Sequence, residues 1–485
     1  MIDVRRKDSG AFYTPDEVVR TLVRWAVRRD SERLLDPACG DGRFLAIHRN
    51  SSGVERDPEA AASARKRAPA ASVCEQDFFA YAATTDQRFD CAAGNPPFIR
   101  YQRFRGSVRS RALDLCARLG ATFSGLTSSW APFLVATASL LKPGGRMAFV
   151  VPAEIGHAPY AVPLLSYLVR AFRRVQVIAI REKLFPQISE DAWILYADGF
   201  GKRTNHVSLV QCSEFEPRSS PPRDGDRVSL ADWEDWRHRL RPFLLPQEVR
   251  ELYGRAIRHP QTKRLGELAR VGIGYVTGAN DFFHLRPSVA GLAGIPKRFL
   301  LPAVRNSRSL PPEIVTRRTV DAWLRRDEPV LLLRLGARER LPASILKYLD
   351  SAAGRLARTS YKCRHRNPWY VVPDVRVPDG FLTYMSGKTP SLVGNAGRCT
   401  CTNSVHAVRL DEGVRLAEVQ AMWRHPLARL SCELEGHPLG GGMLKLEPRE
   451  AARIILPHPT LSLSRREQQR VQDGIATMNR WRHYE

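Results

Sequence analysis

Leu34-Leu35-Asp36-Pro37-Ala38-Cys39-Gly40-Asp41-Gly42 is the stretch whose reading decides the fold. Two leucines form a short apolar run, Asp36 ends it, and a proline–glycine turn opens a helix. The glycines let the backbone approach a ligand closely, and a helix N-terminus would face that ligand. A dinucleotide fingerprint, Gly-x-Gly-x-x-Gly, is the competing reading. Leu45 stands where the third glycine belongs, which disfavours a pyrophosphate. Glu55 ends the next apolar run, where a carboxylate can accept both hydroxyls of a ribose.

Outward from this segment, from about Glu17 to Phe200, apolar runs alternate with helical patterns. Val73 to Glu75, Phe89 to Ala93, Arg146 to Val151, Val175 to Ile180 and Trp193 to Tyr196 read as strands. Pro58 to Arg67 and Pro132 to Leu141 read as helices, the second stopped by Lys142-Pro143-Gly144-Gly145. The alternation predicts an α/β fold: a Rossmann-like, mainly parallel, seven-stranded sheet with helices on both faces and ligands at the strand carboxyl ends. Cys212 to Gly225 turns to Ser, Pro, Glu and Asp, a linker signal. The expected division is a catalytic domain over 1–211, a linker over 212–243 and an α+β domain over 244–485.

The chain has 485 residues, 43% of them hydrophobic, enough for two or three packed domains rather than a disordered chain. Its formal net charge is +25, which points to a polyanionic partner, although 64 arginines against 11 lysines also fit a compositional bias. The nine cysteines are irregularly spaced. Cys399 and Cys401 have no second pair at a zinc-site spacing, so free thiols and no metal are expected. Met1 to Asp16 lacks an apolar segment of the signal-peptide kind, and no stretch approaches a membrane span.

Asn95-Pro96-Pro97-Phe98 follows the Phe89–Ala93 strand directly. A proline-stiffened loop is the plain reading. The chemical reading concerns an exocyclic amine, whose lone pair is delocalised into its ring. To attack a methyl sulfonium it must move toward tetrahedral geometry. The Asn95 amide oxygen and the Pro96 carbonyl can accept its two hydrogens and favour that change. Consecutive prolines fix φ and aim the carbonyl, and Phe98 offers a flat face to a base. Asp77-Phe78, after the Val73–Glu75 strand, pairs an acceptor and an aromatic that suit an adenine. Thr14-Pro15 suits the amino-acid end of a cofactor, or simply a helix cap with proline at the first position.

In order, Phe12-Tyr13-Thr14-Pro15, Asp36-Pro37-Ala38-Cys39-Gly40, Glu55, Asp77-Phe78, Asn95-Pro96-Pro97-Phe98, Phe133 and Phe185-Pro186 resemble the gamma-type N6-adenine-specific DNA methyltransferases, the TaqI-like and Eco57I-like modification methylases. The resemblance implies S-adenosylmethionine as cofactor, no metal, and methyl transfer to adenine N6 in duplex DNA. It places the ribose on Glu55, the cofactor adenine on Asp77, Phe78 and Phe133, and a flipped base against Phe98 and Phe185. Many relatives have tyrosine where Phe98 stands, so stacking is kept and a hydroxyl hydrogen bond is lost. The C-terminal segments Gly274 to Phe283, Arg366 to Trp369 and Gly440 to Pro448 resemble the target-recognition domains of that group. Trp369 is expected in a core rather than as a base wedge.

A base inside a duplex must be extruded to reach such a loop, at a cost of roughly a few kcal/mol. Arg100, Arg103, Arg105 and Arg109, interleaved with Tyr101 and Phe104, suit phosphate contact beside it, or form a solvated helix face. A protein-glutamine methyltransferase shares the catalytic loop but needs no basic C-terminal half. An RNA adenine methyltransferase and a non-catalytic DNA-binding subunit of a restriction complex are the other readings. Pro373-Asp374 could begin a nuclease motif, but residues 375–410 lack the Glu-x-Lys or Asp-x-Lys that completes one. The expected partners are duplex DNA and, in a restriction system, a separately encoded endonuclease. The chain is expected to act as a monomer in the cytoplasm, near the nucleoid and away from membranes.

Overall fold

The computed structural model describes residues 14–186, 190–439 and 441–484. Phe12, Tyr13 and Gly440 lie outside the described residues. The chain divides into two compact units, residues 1–245 and 246–485.

The first unit is built on a nine-stranded sheet: β1 (Leu34–Asp36), β2 (Ser51–Glu55), β3 (Ser72–Glu75), β4 (Phe89–Gly94), β5 (Leu141–Pro152), β6 (Phe172–Ile180), β7 (Ala192–Phe200), β8 (His206–Cys212) and β9 (Asp226–Ser229). Their spatial order is β3-β2-β1-β4-β5-β7-β6-β8-β9. β7 runs antiparallel between β5 and β6, while β1 to β5 are parallel. The expected seven strands are thus joined at one edge by β8 and β9. Strand order reverses between β1 and β4. Such a reversal opens a crevice at the strand carboxyl ends, because the flanking connections leave to opposite faces. Asp36 and Gly94 end the two strands beside it.

Composition explains the central strands. Cys91, Ala92 and Ala93 of β4 are fully buried, as a parallel strand covered on both faces requires. One face carries α1 (Asp16–Ala26), whose Val18, Val19, Leu22 and Trp25 pack with Ala93, Val150, Ile178 and Ile194. Helix α2 (Pro58–Arg67) starts where expected, with Pro58 in its first turn and the Asp57 carboxylate accepting from the Ala60 N–H. Then come α3 (Phe78–Thr84), α4 (Gly106–Arg118) and α5 (Trp130–Ser139).

Two boundaries differ from the sequence reading. Lys142-Pro143-Gly144-Gly145 lies within β5 rather than between elements. Register jumps from Phe89↔Leu141 to Cys91↔Arg146, so these residues bulge out, with Gly144 at φ +80°. The proline and glycines read as a stop are the residues a bulge needs. The stretch 212–243, expected as a linker, carries β9 and a short helix, Leu230–Asp235. Its proline-rich part is tied down by Trp25 Nε1 donating to the Arg218 carbonyl and Gln176 Nε2 to that of Pro222. Polar composition there marks a surface excursion held by side-chain donors.

The second unit is α+β. Its largest sheet has five strands, the antiparallel pair Ala269–Ile273 and Val405–Leu410 at one edge. Trp369 packs on Phe282 and Phe283, as a core residue does. Among the described residues, no helix is long and apolar enough to cross a membrane.

Candidate active site

The β1–α turn forms the floor of the crevice. Gly40 and Gly42 have φ of +52° and +82°, where side chains are strained. A Cβ on Gly42 would also lie 2.8 Å from the Ala64 backbone of α2. Asp36 is buried. Its Oδ1 accepts the Ala38 N–H at 3.2 Å, and Oδ2 has no hydrogen-bond partner among the described residues. Burial, with Glu55 and Asp41 adding like charge, pushes its pKa up to about 8. Burial also pushes the Cys39 thiol well above its ordinary value, so it is an inert apolar neighbour.

Glu55 closes the next strand. One oxygen accepts the Gly40 N–H at 3.0 Å, and the other accepts those of Arg56 and Asp57 at 2.8 Å. The carboxylate is therefore fixed, and its remaining lone pairs stay available. Asp77 caps α3 through the Ala80 N–H, and the same Oδ1 receives the Arg111 guanidinium at 2.9 Å. Phe78 stacks on Phe133 of α5 at 5.1 Å, and Phe79 meets Phe133 edge-on at 4.7 Å. Asp77, Phe78 and Phe133 thus form one assembly, with both rings buried.

Asn95 leaves the end of β4. Its Nδ2 donates to Thr14 Oγ1 over 3.2 Å. Thr14 does not cap α1 with its side chain. That hydroxyl serves Asn95 instead, and the exchange turns Asn95 Oδ1 away from Thr14. Ser129, just before α5, was missed by the sequence reading. Its hydroxyl donates to the Pro97 carbonyl and accepts the Ile99 N–H, while its own N–H donates to the Ile99 carbonyl. The loop is pinned on both sides of Phe98, which is half-buried against the α1-side core. Pro96 is buried. Gly94 was missed as well: a Cβ there would lie 2.6 Å from Asp36 Oδ1. The bare backbone lets β4 press on Asp36 and joins the two motifs. Neither residue carries a sequence signal, since one is a lone serine and the other a strand glycine.

The other expected residues are buried, paired or exposed. Phe185, in the β6–β7 connection, is 4% exposed and packs in the α1-side core. Arg100 pairs with Glu190 at 2.7 Å, and Arg109 donates to the Gly125 carbonyl. Arg103 and Arg105 are exposed. All nine cysteines are free, and no metal-binding cluster occurs among the described residues.

The crevice fits the implied cofactor. An acidic pocket with a buried, unpartnered carboxylate oxygen suits a cationic ligand, a fixed carboxylate suits a diol, and paired aromatics suit a purine.

Comparisons with known proteins agree. Residues 2–63 match the N-6 DNA methylase family, 47–185 the Eco57I restriction-modification methylase family, and 237–482 the C-terminal domain of the type II methyltransferase M.Eco57I. The type II methyltransferase M.XamI of Xanthomonas campestris pv. amaranthicola is 26% identical over 93% of this chain and 86% of its own. M.AccI of Acinetobacter calcoaceticus is 19% identical over 92% and 84%. The solved type IIL restriction-modification enzyme MmeI in complex with DNA matches 90% of this chain at 12% identity and TM-score 0.51. This chain spans 62% of that longer one, and the likeness concerns the fold. Family matches thus run in order along both units, and the chain belongs to the Eco57I family of type II DNA methyltransferases.

Proposed function

We propose that the protein methylates the N6 amino group of adenine in duplex DNA, at a specific site and after extrusion of the base. The observation that carries this reading is Asn95. It sits at the end of β4, oriented by Thr14 and followed by a loop pinned by Ser129.

S-adenosylmethionine supplies an electrophilic methyl group on cationic sulfur. Asp36 and the Pro37-to-Gly40 turn, Glu55, Asp77, Phe78 and Phe133 are the residues that would hold it. Asn95 Oδ1 and the Pro96 carbonyl accept the two amine hydrogens, which localises the nitrogen lone pair for attack. The departing amine proton is held at one of these acceptors and passes to water. Pro97 keeps the turn rigid, and Phe98 packs on the base. Phe185, in the apolar cluster against which Phe98 packs, is the second aromatic proposed to contact the base. The chemistry asks no metal of this chain, so chelators should leave it unaffected. A separately encoded endonuclease fits the restriction-modification relatives.

The test is Asn95→Ala. Methyl transfer to duplex DNA should be abolished while S-adenosylmethionine affinity stays within a few-fold. Lost cofactor affinity with retained turnover per bound cofactor would overturn the assignment of Asn95.

A further inference from the structure

We infer that one cleft of the second unit docks the phosphate backbone of duplex DNA, centred on Arg270 and Arg409. This rests on the proposal that the substrate is duplex DNA.

The strands Ala269–Ile273 and Val405–Leu410 pair antiparallel, with Arg270 directly opposite Arg409 and Gly272 opposite Ala407. Side chains alternate between the faces of a strand. Ala269, Val271 and Val408 belong to the apolar core on one face, so Arg270 and Arg409 share the other. Like charges directly opposite each other destabilise a sheet. The structure does little to relieve this pair. Arg270 is 82% exposed, with Asp411 only at 3.8 Å, and Arg409 has no ion pair among the described residues. The repulsion is offset when a polyanion lies across both.

The surroundings suit such a ligand. The two arginines line a cleft of about 810 Å³ together with Lys362, Arg376 and a single carboxylate, Asp374. Gly272 keeps the floor flat, since a Cβ there would meet nothing within 4 Å. Tyr361 and Ile273, also on the lining, are 65% and 62% exposed, large apolar groups left open to a ligand. Arg366 has a different task. It donates to the Val276 and Thr277 carbonyls and so holds the cleft wall. Residues 246–485 carry 39 Lys and Arg against 22 Asp and Glu, so the field around the cleft is positive.

The test compares full-length wild type with Arg270→Gln/Arg409→Gln in anisotropy titrations of labelled duplexes across a salt series. Affinity should fall by on the order of tenfold or more, equally for unrelated sequences. The plot of log affinity against log salt should become shallower by about 1.8, the release expected of two phosphate contacts. S-adenosylmethionine affinity should be unchanged, and Arg270→Lys/Arg409→Lys should restore most of the slope. An unchanged slope in the glutamine variant, while wild type still methylates duplex DNA, overturns the cleft and spares the proposed activity. A wild type that prefers RNA to duplex DNA overturns both.

Discussion

Asn95 Nδ2 donates to Thr14 Oγ1 over 3.2 Å, joining the segment before α1 to the end of β4. This orients the Asn95 amide, so in the proposed mechanism Thr14 is a positioning residue for Asn95 Oδ1. Thr14→Val keeps the shape and removes the acceptor. Single-turnover methylation should slow by on the order of tenfold to a hundredfold, as small misplacements at a reacting centre do, with little change in S-adenosylmethionine affinity. Thr14→Ser should recover most of the rate. Weakened cofactor binding with an unchanged rate would return Thr14 to the role read from its sequence, a contact for the amino-acid end.

Gly94 is where β4 meets Asp36. In Gly94→Ala the new methyl would lie 2.6 Å from Asp36 Oδ1 and 3.1 Å from the Phe149 ring. Overpacking of this kind costs about 1–3 kcal/mol, and cofactor affinity should fall with it. Asp36→Ala removes the main clash, so denaturant unfolding of the double variant should show a loss smaller than the sum of the two single losses. Additive losses would mean that Gly94 and Asp36 do not press on each other.

Much of this site is legible in the sequence because its parts are short segments at strand ends. Asp36 to Gly40, Glu55, Asp77 and Asn95 each follow an apolar run, and the parallel sheet brings those ends together. What sequence reading misses is contact across the chain. Ser129 reaches the Pro97 carbonyl from 32 residues away. Lys142 to Gly145 has the composition of a helix stop, yet local chemistry alone does not separate a stop from a bulge inside β5. Phe185 is an aromatic that packing has drawn into the core, and its burial depends on partners scattered from α1 to β8. The prolines of the 212–243 stretch conceal β9 because β9 is ordered by pairing with β8, and the prolines before it are held by donors on Trp25 and Gln176.

Asp36 makes stability depend on pH. Its pKa is raised from 3.8 to about 8 by burial and by the nearby Glu55 and Asp41. The folded protein therefore keeps a proton between these values that the unfolded chain has lost. Stability from this group is full below about pH 4, falls as pH rises, and levels off above about 8. Asp36→Asn should flatten that fall in unfolding curves taken from pH 5 to 9. A cationic ligand favours the ionised carboxylate, so S-adenosylmethionine affinity should climb toward pH 8 in wild type and not in Asp36→Asn. A wild type whose affinity ignores pH would contradict the role of Asp36.

The proposed activity is methyl transfer to adenine N6 in duplex DNA. The most direct measurement incubates the protein with methyl-labelled S-adenosylmethionine and duplex DNA, digests the DNA to nucleosides and identifies the labelled one. Label is expected in N6-methyladenine. Label in N4-methylcytosine, in RNA, or only in protein would contradict it.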